Sequence, residues 1–139
     1  MYEYPCHILY TYHMYIQVKF DMLNTAAYSP RPNTEAADWP NQLPDHIKQD
    51  RIHRINTLAN THAYERSQRF IGRIQCILVE NINIKNINQV YGRNAHARLC
   101  YFDGNYERLK GKFVKVKITE AKMYTLYGYI VNDEGERDV

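Results

Sequence analysis

The second half of the chain contains five short β-type runs within about sixty residues, separated by turn-forming residues. In the clearest run, residues 113–119, Val114, Val116 and Ile118 alternate with polar side chains, as in a strand with one buried face. The five runs lie at about 70–80, 89–94, 97–103, 112–120 and 123–131, with turns predicted at 81–88, 103–105 and 110–111. Because so small a sheet keeps unpaired edges unless it closes, this spacing predicts a small closed barrel.

Two other patterns precede the predicted barrel. Residues 10–20 alternate in polarity, which predicts a half-exposed strand, and four of the chain's five prolines then lie within 30–44, which indicates an extended connector. From 44 onward apolar residues repeat at steps of three and four, which predicts a helix that ends near Arg69. The sequence therefore predicts a mainly β protein with one helix. Its predicted parts are a truncated strand and loop (1–43), a connecting helix (44–68), a barrel (69–132) and an acidic tail (133–139).

Positive charge is concentrated in the predicted barrel. Lys/Arg and Asp/Glu number 7 and 7 in residues 1–69, 10 and 4 in residues 70–131, and 1 and 4 in residues 132–139. The resulting balances, 0, +6 and −3, add to the +3 of the whole chain. Basic residues lie among tyrosines here, and cations neutralise phosphates while exposed aromatic rings stack on bases. The pattern is that of a polyanion binder, but it is equally typical of an ordinary solvated barrel.

Motifs for other functions are missing from the sequence. It contains no Gly-x-Gly-x-x-Gly or Gly-Lys-Ser/Thr phosphate loop, and its six histidines form no His-Glu-x-x-His pair, so no catalytic or metal-binding residue is assigned. The three cysteines form no Cys-x-x-Cys pair, and Cys76 and Cys100 are expected to be buried free thiols. No apolar run reaches eighteen residues and no signal-peptide pattern opens the chain, so we expect an intracellular protein without a membrane partner.

Several motifs resemble the TRAM domain, and more narrowly the TRAM domain that closes the MiaB-type tRNA methylthiotransferases. An upstream stretch, residues 24–37, resembles the end of that family's radical-SAM barrel. The sequence around Trp39 is similar to that of cyanobacterial or plastid-lineage members. The resemblance covers about residues 20–131. The motifs that carry it in the barrel are Arg66-Ser67-Gln68-Arg69, Gly72-Arg73, Leu78-Val79-Glu80, Gly92-Arg93 and the run 109–120.

The resemblance implies a five-stranded, OB-like TRAM barrel that binds RNA, with tRNA as the expected partner. Family members methylthiolate an isopentenylated adenosine beside the anticodon, with S-adenosylmethionine and two 4Fe–4S clusters that six cysteines hold. This chain has three cysteines, none in the family's Cys-x-x-x-Cys-x-x-Cys spacing, so we expect no cofactor in this chain and no enzyme activity from it alone. The predicted RNA-binding residues are Arg73, Arg93, Arg98, Lys112, Lys115 and Lys117.

Three functions stay open at this point. The chain is an RNA-binding module, or the carboxy-terminal portion of a split methylthiotransferase whose radical-SAM portion is encoded separately, or a nonfunctional truncated remnant in which Met1 opens partway through the radical-SAM barrel. The expected location is the cytoplasm, or the organelle stroma for a plastid-lineage protein.

Two positions depart from the family's pattern. Asn33 stands where the family usually has glycine, and asparagine is the residue that best replaces glycine where φ is positive. Residues 94–97 read Asn-Ala-His-Ala where the family typically has Thr-Arg-Gly-Asn. The second departure removes an arginine and a glycine from a loop that is predicted to approach RNA.

Overall fold

The structure, a computed structural model, describes residues 5–132, with side chains described from Ile8 onward. The chain divides into two compact units, Met1–His62 and Ala63–Val139. Its helices are α1 (Pro5–Val18), α2 (Asp45–Gln68) and α3 (Tyr106–Leu109), with one 3-10 turn at Glu35–Ala37. Its strands are β1 (Ile74–Asn83), β2 (Asn86–Arg93), β3 (Leu99–Asp103), β4 (Phe113–Ala121) and β5 (Thr125–Ile130).

The five strands form a closed barrel in the order β1-β2-β3-β5-β4. Neighbouring strands are antiparallel except β3 and β5, which run parallel. All five predicted strands are present, and the prediction of a mainly β, OB-like barrel preceded by a helix is confirmed. Closure leaves no free sheet edge in the barrel, which is how a sheet of five short strands avoids edge-to-edge pairing with other chains.

The barrel encloses one hydrophobic core, to which every strand contributes alternate side chains. Gly92 and Gly128 lie where only glycine fits against the neighbouring strand, because a Cβ atom would collide with the carbonyl oxygen of Leu78 at Gly92 and of Lys117 at Gly128. Val114 and Ile130 pack against this core from the barrel, and Tyr106 and Leu109 do so from α3. The buried residues of the core are Phe70, Ile77, Val79, Val90, Cys100, Phe102, Val116, Ile118, Ala121 and Leu126.

The end of α2 belongs to the barrel unit. The Ser67 hydroxyl, which is fully buried, donates a hydrogen bond to the Met123 carbonyl at 3.0 Å, and the Gln68 amide donates to the Ala121 carbonyl at 2.9 Å. Both acceptors lie at or just after the end of β4, so the last turn of α2 is tied to the connection between β4 and β5. The folded unit therefore begins before the predicted boundary at residue 69, at about Ala63.

The strand predicted at 10–20 is wrong, because this segment lies mostly within α1. Tyrosines occur on both faces of the supposed strand, so the alternation of polarity is weak. The half-buried residues instead follow the spacing of one face of a helix. Ile8, Thr11, Tyr12 and Tyr15 are half-buried, at the three- and four-residue steps of one helix face. Pro5 lies at the first position of α1, where the missing N–H costs nothing.

The long turn predicted at 81–88 is also wrong. β1 continues to Asn83, which is paired with Asn86, so only Ile84 and Lys85 form the turn of a hairpin. The asparagine side chains accept from nearby backbone N–H groups here, including Asn83 Oδ1 from Lys85 at 3.1 Å, which is why an asparagine-rich segment sustains a hairpin. The short helix α3, capped by Asn105, was not predicted.

The connecting helix is confirmed at Asp45–Gln68. In the first unit, the Arg54 guanidinium of α2 lies 5.8 Å from the Tyr12 ring of α1, and Thr25 Oγ1 donates to Asn56 Oδ1 at 2.6 Å. Asn33 has a φ of 65°, as expected for a residue in a glycine's place.

The predicted acidic tail, 133–139, lies outside the described residues. Within 5–132 no helix has the length and apolar character needed to cross a bilayer.

Candidate nucleic-acid interface

Four of the six predicted cations lie along β4 and the strand beside it. In the β1–β4 ladder Lys115 is opposite Cys76 and Lys117 is opposite Ile74, so both lysines belong to the outer surface of these two strands. Lys115 is exposed and Lys117 is half-buried. Exposed Lys112 precedes β4, and exposed Arg73 precedes β1 beside the other end of β4, where its carbonyl accepts from the Ile118 N–H at 3.0 Å. We call this outer surface, with these four cations, the lysine face.

The lysine face is also partly apolar. Phe113 is 71% exposed, and Ile74 and Leu78 are exposed between the cations. No ion pair of Arg73, Lys112 or Lys117 with a carboxylate within 4.0 Å is seen among the described residues. The face can therefore neutralise phosphates without first breaking an ion pair at these three positions.

Arg93 lies at the end of β2 and is paired with an acid. Its Nη1 atom contacts both carboxylate oxygens of Glu80, at 2.8 and 2.9 Å, and its side chain is 53% exposed. An ion pair this exposed contributes less than about 1 kcal/mol to stability. The pair is thus weak enough to open to a phosphate, but Glu80 reduces the net charge that Arg93 offers.

Arg98 is buried, so this structure does not present it at the surface where the sequence predicts an RNA contact. Its side chain is 1% exposed, and the guanidinium donates to the carbonyls of Met123 and, at 3.4 Å, Ala63. The Ala63 carbonyl belongs to α2, five residues before its end at Gln68. Arg98 therefore links α2 to the β4–β5 connection and serves the fold rather than a ligand.

A row of three tyrosines crosses the other side of the barrel and was not assigned to the site from sequence. Tyr91 of β2, Tyr101 of β3 and Tyr127 of β5 are direct neighbours in the strand ladders. Ring centroids are 5.6 Å apart for Tyr91 and Tyr101 and 5.7 Å for Tyr101 and Tyr127, and all three side chains are half-buried. We call these three residues the tyrosine row. Each of them adjoins a core residue in sequence, so strict alternation with Val90, Phe102 and Leu126 is the signal that could have identified an outward row.

The tyrosine row forms one wall of a cleft of about 620 Å³. The turn of the β1–β2 hairpin forms another wall, and its Ile84 side chain is 91% exposed. The lining includes two cations, Lys85 and Arg93, and no carboxylate. We call this space the tyrosine cleft; it is lined by Asn81, Ile82, Asn83, Ile84, Lys85, Gln89, Tyr91, Arg93, Leu99, Tyr101, Thr125 and Tyr127.

The two cysteines of the barrel unit differ in their exposure. Cys100 lies in the core, as predicted, and burial raises the pKa of its thiol to about 12, so it is not a ready thiolate. Cys76 is exposed on the outer side of β1, so the prediction of burial is wrong for this residue. Among the described side chains, those of residues 8–132, no group of three or more His, Cys, Asp or Glu is placed to hold a metal ion.

A comparison with protein families agrees with this geometry. The TRAM domain family model matches residues 68–131, that is, the last residue of α2, all five strands and α3. The match begins where Gln68 is bonded to the barrel and ends at Val131, whose N–H donates to the Lys115 carbonyl at 2.9 Å. Over residues 68–131 the barrel of this protein is similar to the TRAM domain.

Proposed function

We propose that this protein binds RNA through its TRAM domain, and that tRNA is the partner. TRAM domains generally bind RNA. The single observation that carries the proposal is the lysine face, where Lys112, Lys115 and Lys117 follow one strand of a domain with a net charge of +6 over residues 70–131. The resemblance to MiaB-type enzymes supports tRNA as the particular RNA.

Binding of fluorescently labelled tRNA to the full chain, measured by anisotropy between 50 and 300 mM KCl, tests this proposal. Each lost phosphate contact lowers the salt slope by about 1, so Lys115→Glu/Lys117→Glu should reduce the slope by about 2 and weaken binding at least tenfold at low salt. Arg31→Glu/Arg54→Glu is the matched control, because it makes the same change in net charge on exposed residues of the first unit. Absence of binding at 50 mM KCl, or equal losses in both double variants, would contradict the proposal.

We also propose that the chain works as the carboxy-terminal portion of a split methylthiotransferase. The three cysteines cannot supply the six cluster ligands of that family, so the cluster-bearing portion would be another chain. The first unit supports this idea, because it has an apolar groove of about 760 Å³ that an exposed tryptophan, Trp39, lines with Ala26, Leu43, Ile52 and Ile55.

Co-expression with a neighbouring reading frame that carries the cysteine triplet tests the second proposal. A stable complex with iron–sulfur absorbance is expected, and Trp39→Ser should weaken the complex while leaving tRNA binding by this chain unchanged. If no such frame exists, or if the complex forms equally well with the variant, the split-enzyme proposal is wrong and the RNA-binding proposal is unaffected.

A further inference from the structure

Glu80 is an acidic residue beside the cations of the barrel surface. Its two carboxylate oxygens are 2.9 and 2.8 Å from Nη1 of Arg93. Leu78 is paired with Phe113 on one side and with Arg93 on the other, so Arg93 lies one strand beyond the lysine face. A nucleic-acid backbone that crosses β1 from the lysine face meets Arg93 and Glu80 together. The carboxylate is unfavourable for such a ligand, because like charges repel.

A β-bulge places Glu80 beside Arg93. In the β1–β2 ladder Val79 and Asn81 pair with neighbouring residues of β2, so Glu80 is the extra residue between them. Such a bulge re-aims a side chain away from the regular alternation of a strand. The side chain of Glu80 is 30% exposed, against 53% for Arg93. The acid is therefore the more tightly packed member of the pair and has less freedom to turn away from a ligand.

Both members of the pair keep unused hydrogen-bonding capacity. Nη1 is the nitrogen of Arg93 that contacts Glu80, and among residues 8–132 no hydrogen bond of its Nε or Nη2 is seen. A guanidinium has several N–H donors, and an ionised carboxylate has several acceptor sites. Arg93 can therefore bind a phosphate while Nη1 still holds Glu80, and Glu80 can accept a further hydrogen bond.

A ligand fits this pair best when it offers an acceptor and a donor side by side. Phosphate oxygens accept from Arg93, but a phosphate alone is repelled by the carboxylate of Glu80. A hydroxyl group close to the phosphate offsets this repulsion, because it donates to the carboxylate. RNA repeats this combination at every nucleotide, since each ribose carries a 2′-hydroxyl, whereas DNA has the phosphate without the hydroxyl.

We propose that Glu80 accepts a hydrogen bond from a ribose 2′-hydroxyl while Arg93 holds a neighbouring phosphate, so that this pair makes the barrel select RNA over DNA. The inference rests on the proposed RNA-binding function and names a residue that sets its specificity. The charge of Glu80 weakens binding to any phosphate backbone, and the hydroxyl of RNA compensates for that loss. The cations of the lysine face supply attraction that is the same for both backbones.

Three labelled twelve-nucleotide probes with the same base test this proposal on the full chain, by anisotropy at 50 mM KCl. They are oligouridine, oligodeoxyuridine and 2′-O-methyl oligouridine. The parent should bind oligouridine about tenfold more tightly than either of the others, as expected for one hydrogen bond to a charged group. The methylated probe keeps the ribose oxygen but lacks the donor, so it separates a hydrogen bond from an effect of sugar shape.

Glu80→Ala removes both the acceptor and the charge. It should tighten oligodeoxyuridine binding severalfold, and it should reduce the preference for oligouridine to less than about threefold. Glu80→Gln keeps one acceptor oxygen in a side chain of the same shape and should retain part of the preference. Glu107→Ala is the matched control, because it removes an equal charge from an exposed residue of α3, and it should leave the preference unchanged.

Equal binding of the three probes by the parent would overturn this inference. So would a full preference for oligouridine in Glu80→Ala, or an equal loss of preference in Glu107→Ala. If the probes still bind in those cases, and Lys115→Glu/Lys117→Glu weakens the binding of all three, the proposed function stands without this inference. Failure of the parent to bind any of the probes or tRNA would remove both.

Discussion

The two units of this protein differ most in what they bury. Among residues 8–62, Ile55 is the one hydrophobic side chain that is buried, and nine large hydrophobic side chains are exposed. The barrel unit, described to residue 132, buries twelve hydrophobic side chains, five of them with no measurable exposure. The exposed set of the first unit is Leu9, Tyr10, Met14, Ile16, Val18, Phe20, Met22, Tyr28 and Trp39.

This difference indicates which of the two units has enough buried apolar surface to be stable by itself. Burial of apolar surface is the dominant favourable term in folding, and a domain with little of it cannot offset the conformational entropy lost on folding. The barrel has a continuous core that all five strands share. The first unit has secondary structure and local contacts, but its apolar surface is left to a partner or to solvent.

Division of the chain into fragments should produce the largest effects. Fragment 44–139 keeps all of α2 and should unfold cooperatively, with a melting temperature close to that of the full chain. Fragment 1–62 should show no cooperative transition. Fragment 70–139 loses the Ser67 and Gln68 bonds and the Ala63 carbonyl that Arg98 uses, so it should be less stable than 44–139 by roughly 3 kcal/mol or more.

Circular dichroism during heating and urea titration measures all three fragments, with the full chain as the reference. A cooperative transition in 1–62 would contradict the comparison between the units. Equal stability of 70–139 and 44–139 would show that the end of α2 is not part of the folded barrel unit, against the contacts described above.

The contrast between the units also explains how far the sequence predicts the fold. In the barrel, apolar residues such as Val114, Val116 and Ile118 alternate strictly with polar residues, because one side of each strand faces the hydrophobic core. The sequence therefore predicts the strands directly from their period of two. In α1, the half-buried face consists of Ile8, Thr11 and tyrosines, which polarity does not separate from the exposed face. When a segment buries almost no apolar side chains, its sequence shows no clear hydrophobic periodicity, and its secondary structure cannot be predicted from that pattern.

The candidate site is less predictable than the fold, because exposure depends on tertiary packing. From residue type alone, the sequence assigns Arg98 to the RNA-binding site together with Lys115. In the fold Arg98 is buried and donates a hydrogen bond to the Ala63 carbonyl of α2. The tyrosine row depends on the parallel pairing of β3 with β5, which brings Tyr101 beside Tyr127 although 26 positions separate them in the chain. Alternation identifies each tyrosine as outward-facing, but neither the burial of Arg98 nor the contact between Tyr101 and Tyr127 can be read from local spacing.

The smallest predicted effect concerns a weak point inside the barrel unit. Ala97 has a φ of 57°, a conformation in which a Cβ atom costs about 1 to 2 kcal/mol. Ala97→Gly should therefore raise the free energy of unfolding by about 0.5 to 1 kcal/mol in urea titrations, once the greater unfolded-state entropy of glycine is included. Ala95→Gly is the matched control, since Ala95 has no positive φ, and it should lower stability by about 0.5 kcal/mol. Opposite signs for two identical substitutions in one loop would locate the strain at Ala97, whereas equal signs would show that the loop relaxes around it and that the barrel's stability does not depend on this turn.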